Sequence, residues 1–179
     1  MYISSLEKAK KLPEQGRRIA VVGSTGSIGK SVLHIVSNFP EKFNVTALAG
    51  GGNIELLAEQ ANYYRPGIIG VKSAELVDEL FSLLSANYDP EIVSGTAGYM
   101  QIASMPEMDL LVSALMGAVG LYPTMSAVEQ GKVVALANKE SLVLAGPILR
   151  RLCAQTEACI LPVDSEHNAL FQALEGQNW

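Results

Sequence analysis

The chain has 179 residues, with 13 Lys and Arg against 18 Asp and Glu, a formal net charge of −5 and a pI near 5.0. Apolar residues make up 49 % and charged residues only 17 %, where an ordinary soluble domain is about a quarter charged; this composition excludes disorder, and its acidic balance argues against a nucleic-acid partner, which needs a basic face. No apolar run reaches the roughly 18 residues of a membrane span, so no membrane partner is expected either.

Met1 to Arg18 is polar, carries Lys8, Lys10 and Lys11 beside Glu7 and Glu14, and lacks the apolar stretch of a signal peptide. Its acids argue against a transit peptide. Residues 1–17 are therefore expected to form a loose N-terminal arm.

Beyond the arm the apolar spacing alternates between two periods. Arg18 to Val22 is a short apolar run ending in glycine, as expected of a strand buried on both faces. From Ser27 to Phe39 the apolar residues Ile28, Val32, Leu33, Ile35, Val36 and Phe39 recur at helical spacing, and Pro40 closes the segment. Strands are predicted at 43–48 and 67–71, and helices at 54–64 and 74–85. Further strands are predicted at 110–114 and 133–137 around a helix at 123–130. A helix at 140–157, interrupted near Gly146 and Pro147, leads to a last strand at 159–163. Strands and helices alternating in this way predict right-handed crossovers and a Rossmann-like, doubly wound, mostly parallel α/β sheet with helices on both faces.

Cys153 and Cys159 stand six apart in apolar surroundings. They make neither a disulfide framework nor a CxxC metal knuckle, and read as reduced buried thiols of a cytosol-like compartment. The chain stops at Trp179 soon after a helix start near Asn168, with no closing element, as expected of a piece of a longer polypeptide.

Gly23-Ser24-Thr25-Gly26-Ser27-Ile28-Gly29 joins the first strand to the first helix. At such a junction Gly23 permits the sharp turn, Gly26 lets backbone approach a pyrophosphate, and Gly29 lets the helix pack tightly; the free N–H groups of the helix start face the phosphates. Dinucleotide binding is the first reading. The second is an NTP-hydrolysing or phosphoryl-transfer enzyme, because Ser24 to Ser31 is one residue short of a P-loop, with Gly29-Lys30-Ser31 in place and Asp164 ending an apolar strand. Ser24 stands where the P-loop turn requires glycine.

An NAD site places an acid about 20 residues past the glycines. Here that place reads Ala47-Leu48-Ala49-Gly50-Gly51-Gly52-Asn53. No carboxylate is present to repel a 2′-phosphate, which favours NADP, and no Arg or Lys is present to hold one. Asn53 also suits the N-cap of the next helix.

Two polar clusters follow the later strands. Asn138-Lys139-Glu140 lies where the crevice of an open α/β sheet opens; Asn138 suits a helix cap, and Lys139 has no evident structural duty. In Leu161-Pro162-Val163-Asp164-Ser165-Glu166-His167-Asn168, Asp164 and Glu166 would share one side if strand geometry continued. Two readings stand for them: a hard-oxygen site for Mg²⁺ or Mn²⁺, or acids at a helix N-terminus.

The strings GSTGSIG (23–29), GAVGLYPT (117–124), LANKESL (136–142) and LPVDSEHNALFQ (161–172) together resemble the 1-deoxy-D-xylulose 5-phosphate reductoisomerase family of non-mevalonate isoprenoid biosynthesis. The resemblance runs from about Arg18 to Gln172. It implies an NADPH-binding domain at 18–158 and the beginning of a catalytic domain at 159–179. It implies conversion of 1-deoxy-D-xylulose 5-phosphate, a sugar phosphate, to 2-C-methyl-D-erythritol 4-phosphate with NADPH and Mn²⁺ or Mg²⁺. Thr25, Gly26, Ser27 and Ile28 match cofactor contacts at the pyrophosphate and nicotinamide side, and Gly51, Gly52 and Asn53 match the segment around the adenosine 2′-phosphate. The family often carries a basic residue where this chain has Gly52. Asn138 and Glu140 match cofactor contacts, Lys139 and Ser165 match substrate contacts, and Asp164 and Glu166 match metal ligands, with Lys139, Ser165 and Glu166 as the catalytic group. The family's further glutamate ligand, phosphate pocket, flap and helical C-terminal domain come later in its sequence, and Glu175 is too close along the chain to replace that glutamate. The expectation is a fragment that binds cofactor but is inactive alone. Full length, the resemblance allows a homodimer, in the bacterial cytoplasm or, from a eukaryote, the plastid.

Overall fold

The computed structural model describes Ala9 and residues 11–174. Most of the expected arm, and Glu175, therefore lie outside the described residues. The elements in chain order are β1 (Arg17–Val22), α1 (Ser27–Asn38), β2 (Phe43–Ala49), α2 (Ile54–Tyr64), β3 (Ile68–Val71), α3 (Val77–Leu83), β4 (Glu91–Ser94), α4 (Gly95–Ala103), β5 (Leu110–Ser113), α5 (Leu121–Glu129), β6 (Val133–Leu136), α6 (Lys139–Thr156), β7 (Cys159–Pro162) and α7 (Ser165–Leu174). Short 3₁₀ turns precede α3 and α5.

The strands form one sheet in the order β4-β3-β2-β1-β5-β6-β7, and all six pairings are parallel. The predicted doubly wound sheet is thus present. The chain winds outward from β1 to β4, then returns to the other side of β1 and winds outward again. Loops leave in opposite directions at β1 and β5, which opens a crevice beyond their carboxyl ends.

Side chains alternate across a strand, and the core divides accordingly. Ala20 and Val22 of β1 pack with Tyr99 and Ile102 of α4, Val128 of α5 and Leu149 of α6. Ile19 and Val21 pack on the opposite face with Leu33 and Val36 of α1, Leu57 of α2 and Leu80 of α3. A bulge interrupts the β1–β2 register after Ile19, where the Thr46 hydroxyl donates to the Ile19 carbonyl at 3.1 Å. Consequently Val45 and Ala47, two apart, serve opposite cores.

The structure departs from several of the predicted elements. β4 and α4 had no counterpart in the apolar periodicity: β4 is a four-residue edge strand without a fully buried residue, and Gly-Thr-Ala-Gly opens α4 where helix propensity is poor. α5 begins at Leu121, which leaves Pro123 in its first turn, where a missing N–H costs no helical bond. The predicted interruption of α6 near Gly146 and Pro147 is present, with the break in helical geometry at Ala145 (φ −136°, ψ 18°). α7 begins at Ser165 rather than near Asn168. β1 also takes Arg17 from the end of the expected arm.

Candidate active site

The glycine loop occupies the carboxyl end of β1 beside the switch point. Gly23 has φ +96°, and a Cβ there would lie 2.5 Å from the Ala114 backbone after β5. Only glycine permits both the dihedral and the approach of the two loops. A Cβ at Gly29 would lie 2.2 Å from the Gly23 carbonyl oxygen, so α1 begins directly against the loop. Gly26 is different: its nearest neighbour would be that same oxygen at 3.3 Å, with its outer side open. Gly26 precedes the helix and no side chain caps the first turn of α1. The N–H groups of Ser27 and Ile28 therefore face the crevice edge, with the partial positive charge of a helix start.

Buried side chains hold these loops from behind. Gln60 of α2 donates to the Ser24 carbonyl at 3.1 Å. The amides of Gly23 and Ser24 both donate to the Ala49 carbonyl at 2.8 Å, which carries the β1–β2 ladder into the loop. Past β2, Gly51 and Gly52 would each accept a Cβ into open space. Asn53 caps α2, its side chain accepting the Leu56 amide at 2.9 Å.

The P-loop alternative meets an unsuitable geometry. Four residues separate β1 from α1, and Lys30 already lies inside the helix, its amide bonded to the Gly26 carbonyl at 2.9 Å. The Ser31 hydroxyl donates to the Ser27 carbonyl at 3.1 Å, back along its own helix. A phosphate-wrapping loop ending in Lys and Ser is absent there.

After β6, Asn138 is 2 % exposed. Its side chain accepts the Ser141 amide at 2.8 Å and the Ser141 hydroxyl, which caps α6. Its amide nitrogen donates to Leu115 and Gly117 carbonyls at 2.6 and 2.9 Å. All the side chain's hydrogen-bonding groups are thus committed to α6 and to the loop after β5. Gly117 (φ +73°) and Gly120 make this possible, since a Cβ at Gly120 would lie 3.0 Å from the Asn138 side chain. This 114–120 loop was missed as part of the site by residue-type reasoning; the paired glycines of its GAVG string were the available signal.

Lys139 and Glu140 are exposed at the start of α6. Lys139 Nζ lies 3.3 Å from Glu166 Oε1, both side chains being exposed. Strand geometry, on which a shared side for Asp164 and Glu166 depended, does not continue to them. β7 ends at Pro162 and α7 starts at Ser165, so the two acids sit at a helix start. Asp164 Oδ1 accepts the His167 amide at 3.0 Å and lies 2.6 Å from His167 Nδ1. Ser165 Oγ donates to Glu166 Oε2 at 2.9 Å. The Glu166 carboxyl is held down to about 2 by its own backbone N–H first, then by the Ser165 hydroxyl and Lys139. It is therefore ionised at any ordinary pH.

The donor set at this edge suits a hard cation. Asp164 Oδ2 is buried with no hydrogen-bond partner among the described residues, an oxygen left for a ligand. Among the described residues, no group of three or more His, Cys, Asp or Glu forms a complete cage, so most of a coordination shell would come from elsewhere. No helix among them is long and apolar enough to cross a membrane, and Cys153 and Cys159 are both buried.

Fold and site together define a Rossmann-like α/β domain with a carboxylate-bearing edge beside its crevice. A family model described as "1-deoxy-D-xylulose 5-phosphate reductoisomerase" matches residues 19–146, and the chain belongs to that family. It is 52 % identical over 177 residues to the 1-deoxy-D-xylulose 5-phosphate reductoisomerase of Oleidesulfovibrio alaskensis, covering 99 % of this chain and 44 % of that protein. A crystal structure of DOX-P reductoisomerase in complex with magnesium superposes with a TM-score of 0.86 at 38 % identity, over 90 % of this chain and 40 % of that one. The Zymomonas mobilis enzyme in complex with NADPH gives a TM-score of 0.83 at 37 % identity, over 88 % of this chain and 41 % of that one. The chain thus spans less than half the length of these relatives.

Proposed function

We propose that this chain supplies the NADPH-binding part and one wall of the catalytic site of a 1-deoxy-D-xylulose 5-phosphate reductoisomerase, which rearranges and reduces its sugar-phosphate substrate to 2-C-methyl-D-erythritol 4-phosphate. Residues 18–158 are the cofactor domain, 1–17 a preceding arm, and 159–179 the beginning of the catalytic domain. The observation that carries the reading is the meeting of Lys139 and Glu166 at the sheet edge that also bears the open glycine loop.

In this reading Thr25, Gly26, Ser27 and Ile28 receive the pyrophosphate and nicotinamide side of NADPH at the start of α1. Gly51, Gly52 and Asn53 receive the adenosine 2′-phosphate end. Glu140 reaches the cofactor from α6, and Asn138 acts there through its main chain and through the 115–117 carbonyls that it holds. Asp164 and Glu166 would hold Mg²⁺ or Mn²⁺. When bound, the cation supplies Lewis-acid polarisation of the substrate's oxygens and NADPH supplies the hydride. Lys139 presents Nζ to the substrate oxygens. Its exposed pairing with Glu166 adds little to stability, so the ammonium can be drawn to a substrate anion. Ser165 orients Glu166 and offers its hydroxyl to substrate.

Titrating NADPH, NADH and ATP into the chain by calorimetry tests the proposal. NADPH is expected to bind most tightly; ATP binding in preference to NADPH would overturn it. The chain alone is expected not to turn over 1-deoxy-D-xylulose 5-phosphate even with NADPH and Mn²⁺, since misplacement by about 1 Å can cost on the order of a hundredfold and only one wall is supplied here. Substrate-dependent NADPH oxidation by the purified chain would show that the division of catalytic labour is different.

A further inference from the structure

We propose that Tyr99 is a positioning residue for recognition of the cofactor's 2′-phosphoadenosine end, acting through the carbonyl of Gly50. The inference rests on the NADPH reading above and adds a residue that lies outside the glycine motifs.

Tyr99 belongs to α4 and is 3 % exposed. Its hydroxyl donates to the Gly50 carbonyl at 2.9 Å in a buried setting. Gly50 is the first residue past β2, directly before Gly51 and Gly52. Its amide is held by the Gly70 carbonyl at 3.0 Å, so Tyr99 fixes the other half of the same residue. A glycine makes the reach possible. A Cβ at Gly70 would lie 3.2 Å from the Tyr99 ring and 2.9 Å from Ile102; without one, the ring lies directly on the β3 backbone and its hydroxyl extends to β2. Gly98 similarly lets α4 lie against Val93 of β4.

Burial pushes the Tyr99 phenol up to about 12, so it remains a donor throughout the working pH range. Beyond Gly50 the loop has no comparable support among the described residues. Gly51 and Gly52 have open space where a side chain would be, and the first protein anchor beyond them is the Asn53 cap. A loop with two consecutive unsupported glycines loses much conformational entropy when it orders on a ligand. Fixing its base lowers that loss and aims its amides. The consequence is confined to the adenosine end, because the nicotinamide end is served by the loops after β1, β5 and β6.

The test is Tyr99→Phe in the full chain, with NADPH, 2′,5′-ADP and reduced nicotinamide mononucleotide as separate probes. Phe keeps the ring packed on Gly70 and removes only the hydroxyl, leaving the Gly50 carbonyl without its buried donor. We expect NADPH and 2′,5′-ADP to weaken about fivefold or more, as for loss of one buried hydrogen bond, with the mononucleotide unchanged. Amide exchange at 50–53 should accelerate while 23–29 stays as in wild type, a readout available without any cofactor. Unchanged 2′,5′-ADP affinity, equal weakening of all three probes, or unaltered exchange at 50–53 would overturn the proposal. Failure of the wild-type chain to bind NADPH would instead overturn the functional reading, and this inference with it.

Discussion

Lys139 and Glu166, 27 residues apart in sequence, meet through a 3.3 Å contact between Nζ and Oε1. Parallel pairing of β6 and β7 from Val133–Cys159 to Leu136–Pro162 brings their two following helices to one edge. The ion pair thus follows from sheet register. Because both side chains are more than half exposed, the pair is a resting arrangement that ligands can reorganise.

The first prediction concerns that carboxyl. Its depressed value means that the ionised form persists as pH falls, until about 2 rather than the ordinary 4.5. Any stabilisation from its contacts is present above the ordinary value and is lost as pH falls through the folded one. Carbon-detected NMR should show the Glu166 midpoint near the low value in the metal-free chain. Ser165→Ala and Lys139→Ala should each move it upward. A midpoint at the ordinary value in wild type would mean that these contacts do not persist in solution.

The second separates two glycines of one loop. Gly26→Val places its side chain on the open, ligand-facing side, so the fold should survive while NADPH affinity falls by roughly a hundredfold, about 3 kcal/mol. Gly29→Ala drives a Cβ into the Gly23 carbonyl and should destabilise the protein by about 1–3 kcal/mol. Denaturant melts and calorimetry on both variants distinguish the effects. Equal stability loss in both would contradict the assignment of the open side.

Cofactor preference supplies a third. NADPH should bind more tightly than NADH, with a modest margin because Gly52 carries no charge. Gly52 has open space around it, so Gly52→Arg should be accommodated and should widen the NADPH preference about fivefold, the worth of one exposed charge-assisted contact. No change in the ratio would place the 2′-phosphate away from this turn.

The fourth concerns metal. This chain should bind Mn²⁺ only weakly, since two carboxylates leave most of an octahedral shell to water and Lys139 competes for Glu166. Asp164→Asn should remove the binding, and Lys139→Ala should tighten it severalfold, about the effect expected from removing one exposed cation. Electron paramagnetic resonance of free Mn²⁺ measures both. In a full-length enzyme, Glu166→Gln should lose most turnover while keeping NADPH affinity.

Outside β4 and α4, local chemistry alone determined the strand–helix alternation and therefore the parallel sheet. Short apolar runs and period-3.6 spacing record which segments and faces are buried, and Gly23, Gly29 and Pro40 mark turns and element ends. The specific strings around Asn138 and Asp164 also revealed the family. Only tertiary structure decided how these strings cooperate. Whether Asp164 and Glu166 lay on a strand or a helix start depended on where β7 left its partner β6. That Asn138 holds the 115–117 carbonyls, Gln60 the Ser24 carbonyl and Tyr99 the Gly50 carbonyl could not be read along the chain. Each of these hydrogen bonds joins groups more than 20 residues apart, and hydrogen-bond geometry at that separation is set by the packing of helices on the sheet, with no periodic trace in the sequence.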